Sequence, residues 1–192
     1  GNSTGNGDVG TVTFDNGTFD ATSILMGSST SAHSSSGTNT VGGDLAHTAT
    51  LTVSSAGNGS LVLGNASISG GTGAGTLNIN ANGIANVNCS ITKNPTAGAA
   101  NTATINLSGG QLNMLSGTIG TPAAPIDSLS LGDGSVLQLS VNAAVTNVVA
   151  TTVSASGMST APMSNGTKYL SCFAVNANTW PICFRRAPNP TF

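Results

Sequence analysis

The sequence predicts an all-β fold: a parallel β-helix, or β-solenoid, of about five coils followed by a non-repeat C-terminal segment. Three observations carry this expectation. The chain is nearly free of charge, it alternates polar and apolar residues in short runs, and those runs recur at 24 to 28 residues.

Composition comes first. The 192 residues include 4 Lys+Arg and 6 Asp+Glu, so 5% are charged, against about 25% in typical globular chains. All six acids are Asp. Helical proteins fill their exposed positions with Glu, Lys and Ala. This chain uses Ser, Thr, Asn and Gly, which suit turns and strands. Gly/Ser-rich tracts can also be flexible linkers. Disorder, however, pairs low hydrophobicity with high net charge, and here hydrophobic residues reach 38% with a net charge of −2. A formal charge of −2 offers no electrostatic footprint for nucleic acid. No apolar run approaches the ~18 residues of a transmembrane helix. The start at Gly1-Asn2-Ser3 reads as a mature or trimmed product.

The repeat defines the coils. Thr50-Leu51-Thr52-Val53, Thr76-Leu77-Asn78-Ile79, Thr104-Ile105-Asn106-Leu107 and Ser128-Leu129-Ser130-Leu131 share one polar/apolar alternation, at intervals of 26, 28 and 24 residues. Period-2 alternation marks a half-buried strand. Each run leads through a small turn, such as Asn82-Gly83 or Gly132-Asp133-Gly134, to a second strand. Gly and Asn accept the positive φ of such corners. The second strands are Leu61-Val62-Leu63, Ala85-Asn86-Val87, Leu112-Asn113-Met114 and Leu137-Gln138-Leu139, and a third apolar point is expected at Ile68, Ile91, Ile119 and Val145. A single coil cannot bury its apolar face, so coils must stack. The expected inward columns are Leu51-Leu77-Ile105-Leu129, Val53-Ile79-Leu107-Leu131, Leu61-Ala85-Leu112-Leu137 and Leu63-Val87-Met114-Leu139. Buried side chains of this size contribute roughly 1.5–3 kcal/mol each. The rival is an antiparallel sandwich or barrel, which does not require matching residues at matching points of each repeat. A looser first coil begins at Thr11-Val12-Thr13-Phe14, and residues 27–44, rich in Ser, Thr and Gly, read as a loop inserted between coils. The solenoid is thus expected over 1–153, with 154–192 as a cap or assembly segment.

The stretches Thr102-Ala103-Thr104-Ile105-Asn106-Leu107-Ser108-Gly109-Gly110-Gln111-Leu112-Asn113-Met114, Leu115-Ser116-Gly117-Thr118-Ile119-Gly120 and Ile126-Asp127-Ser128-Leu129-Ser130-Leu131 resemble the autotransporter-associated β-strand repeats of bacterial surface and secreted proteins. The resemblance covers about residues 45–150. It implies a β-helical, passenger-like region, secretion to the extracellular space or cell surface, and a structural or adhesive role. It brings no catalytic motif.

The residues themselves offer little chemistry. His33 and His47 are the two histidines, and Ser is too abundant for a Ser–His–Asp set to carry information; no nucleophile elbow accompanies them. Glycoside cleavage needs two carboxylates flanking the bond, whereas Asp8, Asp15, Asp20, Asp44, Asp127 and Asp133 mostly lie at turns. Asp15 and Asp20 flank one turn, but calcium wants six to eight oxygen ligands. No Cys/His spacing fits zinc. No cofactor, metal or enzymatic activity is therefore expected. Seven Asn-x-Ser/Thr sequons begin at Asn2, Asn16, Asn58, Asn65, Asn88, Asn106 and Asn165, as chance allows in so polar a chain.

The outward positions and the tail are the candidate functional surfaces. Thr50, Thr76, Thr104 and Ser128 are expected to form one outward column, Thr52, Asn78, Asn106 and Ser130 a second, and Val62, Asn86, Asn113 and Gln138 a third. Such columns can hydrogen-bond along the stack, or hold glycans or ice; the switch to Asn in the second column counts against ice. In the C-terminal segment, Tyr169, Phe173, Trp180, Phe184 and Phe192 are five of the seven aromatics, joined by Lys168, Arg185 and Arg186. They can cap the open end of a solenoid or dock on the next copy. Cys172 and Cys183 can pair as a disulfide or remain two small buried thiols, while Cys89 sits in a strand-like run. The functional expectation is an extracellular structural subunit that polymerises with copies of itself, with a glycan-binding adhesin module as the alternative and a carbohydrate-active β-helix enzyme behind it.

Overall fold

The computed structural model describes residues 2–3, 7–54, 59–140, 147–155, 171–175 and 182–184, the first pair and the last two segments as backbone alone. Among the described residues there is no helix, and the chain is organised as three sheets of almost entirely parallel strands.

The path is cyclic. A first pass runs through β2 (Asp8–Phe14), β3 (Gly17–Ala21) and β4 (Ser23–Ser29), after a short β1 (Asn2–Ser3). The second uses β5 (Ser34–Val41), β6 (Ala49–Val53) and β7 (Ser60–Ala66), and the third β8 (Thr72–Asn80), β9 (Gly83–Asn88) and β10 (Ile91–Thr92). Then follow β11 (Ala100–Ser108) with β12 (Gln111–Ser116), and β13 (Ile126–Leu131) with β14 (Val136–Leu139). In these two passes the third position shrinks to single bridges, Ile91–Ile119 and Ile119–Val148. β15 (Val149–Ala155) opens a sixth pass, and β16 (Ser171–Val175) pairs parallel to it. Only β17 (Ile182–Phe184), on β16, runs antiparallel. The first strand of every pass lies in one eight-stranded sheet, the second in a five-stranded sheet and the third in a four-stranded sheet. This parallel, all-β arrangement is compatible with a β-helix.

The alternation read from the sequence sets the faces. The sixteen residues expected to point inward do so: fourteen are buried, and Leu131 and Leu137 are partly buried against the core. Inward residues of all three sheets form one apolar cluster.

Three expectations need correction. Residues 27–44 are not a protruding loop, since they hold the end of β4 and the whole of β5, which pairs with β2 and β8. The strand escapes notice because its inward positions are Ser35, Gly37 and Asn39, with Val41 the one aliphatic residue among them. The longer second pass instead spends extra residues at 42–48, between β5 and β6. The second correction follows from the first. Leu51 and Val53 stack on Ala85 and Val87 in the five-stranded sheet, not on Leu77 and Ile79. Leu61 and Leu63 stack on Ile24 and Met26 in the four-stranded sheet. Val62, likewise, pairs with Leu25 and Thr92 rather than Asn86. Alternation fixes which way a side chain points but not which sheet its strand joins. Third, Ile68 is exposed, and Leu61 takes its place beside Ile91. Val145 lies outside the described residues, and Val148 pairs with Ile119. The expected boundary at residue 153 falls inside β15.

Candidate functional site

One end of the sheets is open. β2 is the outermost strand of the eight-stranded sheet and β3 that of the five-stranded sheet, so each presents an unpaired edge among the described residues. Beside these edges Val9 is 73% exposed, Val12 47%, Phe19 40% and Leu25 54%. The Phe14 and Phe19 rings meet at 5.9 Å. A cleft of about 330 Å³ opens between Val12, Phe19, Ile24 and Met26. Asn39 also lines it; its buried Oδ1 has no hydrogen-bond partner. At the other end, among the described residues, β14 has no outer neighbour and β16 is paired only to the Val149 and Ala150 end of β15.

The outward columns differ from those read in the sequence. Register places Thr11, Thr38, Thr76, Thr104, Ser128 and Thr152 in one column of the eight-stranded sheet. Thr13, Thr40, Asn78, Asn106, Ser130 and Ser154 form the next. Thr50 and Thr52 are displaced to the five-stranded sheet, where Thr52 lies between Asp20 and Asn86 in the column Asp20-Thr52-Asn86-Asn113-Gln138. The missed strand β5 supplies the true occupants, Thr38 and Thr40.

Amides in these columns bond along the stack. Asn106 Nδ2 donates to Asn78 Oδ1 at 3.0 Å, and Asn78 Nδ2 to Thr40 Oγ1 at 3.3 Å. On the five-stranded sheet Asn113 Nδ2 donates to Asn86 Oδ1 at 2.8 Å. Ladders of this kind satisfy polar groups in a strand stack without charge.

Two ionic contacts were not foreseen. Lys93 Nζ donates to both carboxylate oxygens of Asp127 at 2.9 Å, and Asp127 Oδ2 also accepts the Ala103 N–H at 2.7 Å. Asp127 thereby clamps the connection after β10 to β11 and β13. In the 42–48 connection, His47 Nδ1 lies 2.5 Å from Asp44 Oδ2, and Asp44 Oδ1 accepts the Ala46 N–H. The hydrogen bond to Asp44 raises the His47 pKa above its ordinary value of 6.5, and the same contact lowers that of Asp44. The carboxylate–imidazole spacing of three residues was the available signal. Among the described residues no group of three or more His, Cys, Asp or Glu is placed to hold a metal ion. His33 lies between β4 and β5, where its carbonyl accepts the Thr72 N–H.

Cys89 is buried, and loss of solvent pushes its thiol pKa up, the profile of an inert structural cysteine. In the tail, Cys172 and Cys183 are direct partners across the antiparallel β16–β17 pair, and Phe173 and Phe184 lie on these two strands. Tyr169, Trp180, Arg185, Arg186 and Phe192 lie outside the described residues. No described helix is long and apolar enough to cross a membrane. Comparison with family models, curated proteins and solved structures yields no match.

Proposed function

We propose that this chain is a structural subunit: an extracellular β-solenoid that stacks end to end on copies of itself to build a fibre or surface layer. Three parallel sheets visited in cyclic order, around one shared apolar cluster, support the closed solenoid. The observation that carries the assembly is the end at β2 and β3, which no other strand covers among the described residues. An unpaired strand edge beside exposed apolar side chains is a template for another chain. Here the edge carries Val9, Val12 and Phe19, and only Asp8 and Asp20 as charges. A copy presenting β14 and the free part of β15 continues both sheets in parallel. Such a contact joins unlike surfaces and does not close, so it propagates. The resemblance of residues 45–150 to autotransporter-associated repeats supports secretion and a non-enzymatic role.

Sedimentation and negative-stain electron microscopy test the reading. Filaments are expected at high concentration, and Val12→Lys, which places a charge on the bare edge, is expected to shorten or abolish them while leaving the fold intact by circular dichroism. A wild-type chain that stays monomeric at high concentration refutes the reading.

A further inference from the structure

The outward face of the eight-stranded sheet carries two straight columns across six successive strands, and no member of either is ionisable or aromatic. The first is hydroxyl at every rung: Thr11, Thr38, Thr76, Thr104, Ser128 and Thr152. These hydroxyls have no hydrogen-bond partner among the described residues, whereas Asn78, Asn106 and Thr40 in the second column bond one another. The two columns therefore differ in kind. In one, three successive members bond one another, and the other presents an unbroken row of free donor–acceptor groups, five of six with a methyl beside the hydroxyl.

Geometry narrows what such a row can meet. Rungs repeat at about 4.8 Å and the two columns stand about 6.6 Å apart, the interstrand distance and two residues of rise. The spacing is fixed by the backbone ladder, so the array is rigid before any ligand arrives, which removes an ordering cost from binding. A soluble sugar is held by stacking on a ring and by fans of charged or amide groups; these two columns have neither ring nor charge, and their two amides bond each other along the stack. A partner strand needs a sheet edge, and this is a sheet face. What remains is a periodic, uncharged, hydrogen-bonding lattice. Along the first column the rung spacing is within a few tenths of an ångström of the oxygen repeat of hexagonal ice, and over six rungs the mismatch stays below half a repeat. Free hydroxyls can take lattice positions while the adjacent methyls shed loosely ordered water, a gain that charged, strongly hydrated side chains would oppose.

We propose that this face binds the surface of ice, with Thr11, Thr38, Thr76, Thr104, Ser128 and Thr152 as the primary contact row. The proposal stands apart from end-to-end assembly, since it uses a sheet face and not an edge. Stacking copies would lengthen the row.

The test is partition of the full chain into a slowly grown ice hemisphere, together with inhibition of ice recrystallisation. The wild-type chain is expected to be incorporated and to keep crystals small. Thr76→Tyr and Thr104→Tyr, in mid-row, are expected to be excluded at the level of a non-binding control protein with unchanged circular dichroism. Thr52→Tyr, on the outward face of the five-stranded sheet and away from both end strands, is expected to behave as wild type. Exclusion of the wild-type chain from ice overturns the proposal. Equal incorporation of the row variants does so too, as does saturable binding of a polysaccharide that the same variants abolish.

Discussion

Gly75 points inward where the eight-stranded sheet approaches the four-stranded sheet closely. A Cβ built there would sit 2.5 Å from the Gly64 nitrogen and 2.6 Å from the Leu63 Cα, both backbone atoms that cannot swing away. Gly37, one rung earlier, meets Gly27 and Met26 in the same way. At the next rung the column changes to Ala103, which is fully buried without conflict, because the four-stranded sheet has dwindled beyond β10. Gly75→Ala is therefore expected to destabilise the chain by about 1–3 kcal/mol through overpacking, read as a lower urea midpoint with unchanged slope. His47 gives a second residue-scale expectation. Its pKa is raised in the folded chain by the hydrogen bond to Asp44, so its contribution is fully present below the ordinary value of 6.5 and is lost as pH rises through the raised one. Asp44 works in the opposite sense: its lowered pKa gives a contribution present above its ordinary value of 3.8 and lost as pH falls through the lowered one. NMR titration should place His47 above 6.5, and Asp44→Asn should return it toward that value; a His47 titration unchanged by Asp44→Asn would contradict the pairing.

At the scale of elements, the side chain of Asn101 stands in for a strand. β10 pairs only with Leu61 and Val62, so the last residues of β7 have no strand on that side. Asn101 Oδ1 accepts the Ala66 N–H at 2.7 Å and its Nδ2 donates to the Ala66 carbonyl at 2.9 Å, as a neighbouring peptide would. Asn94 extends the substitution by donating its backbone N–H to the Gly64 carbonyl and its amide to Asn65. Asn101→Ala orphans two backbone groups of the buried residue Ala66, each worth about 1–3 kcal/mol when left unpaired. The expected outcome is a marked loss of stability, with hydrogen exchange of the Ala66 amide accelerated before that of Leu77. Equal protection of Ala66 in the variant would contradict this account.

The same elements show what could be read without coordinates. From Thr76 to Leu139 the strands, turns and inward columns are legible because Leu, Ile, Val or Met fills every expected inward position but Ala85. β5 is not, because three of its inward residues are Ser35, Gly37 and Asn39, and a strand without large apolar residues looks like a loop. Losing that strand moved Leu51, Leu61 and Thr50 one sheet along. The threonine row stayed hidden for the same reason, since Thr38 is its second rung. The Asn101 substitution carries no sequence signal at all, as it depends on an absent strand.

At the scale of the whole molecule, β2 and β3 at one end and β14 at the other, edge strands among the described residues, are complementary by construction, because the ladders from β2 to β15 and from β3 to β14 keep one direction throughout. Joining copies would extend the outward column Asp20-Thr52-Asn86-Asn113-Gln138 from the Gln138 of one to the Asp20 of the next. Both residues face outward, and neighbouring strands bring Cα atoms to about 4.8 Å, within the range a disulfide spans. The most direct measurement is oxidation of a chain carrying both Asp20→Cys and Gln138→Cys, followed by non-reducing electrophoresis. End-to-end stacking predicts a ladder of covalent dimers, trimers and longer oligomers that needs both substitutions and collapses on reduction. A pattern no longer than that of either single substitution, under conditions where the wild-type chain is concentrated, would contradict it.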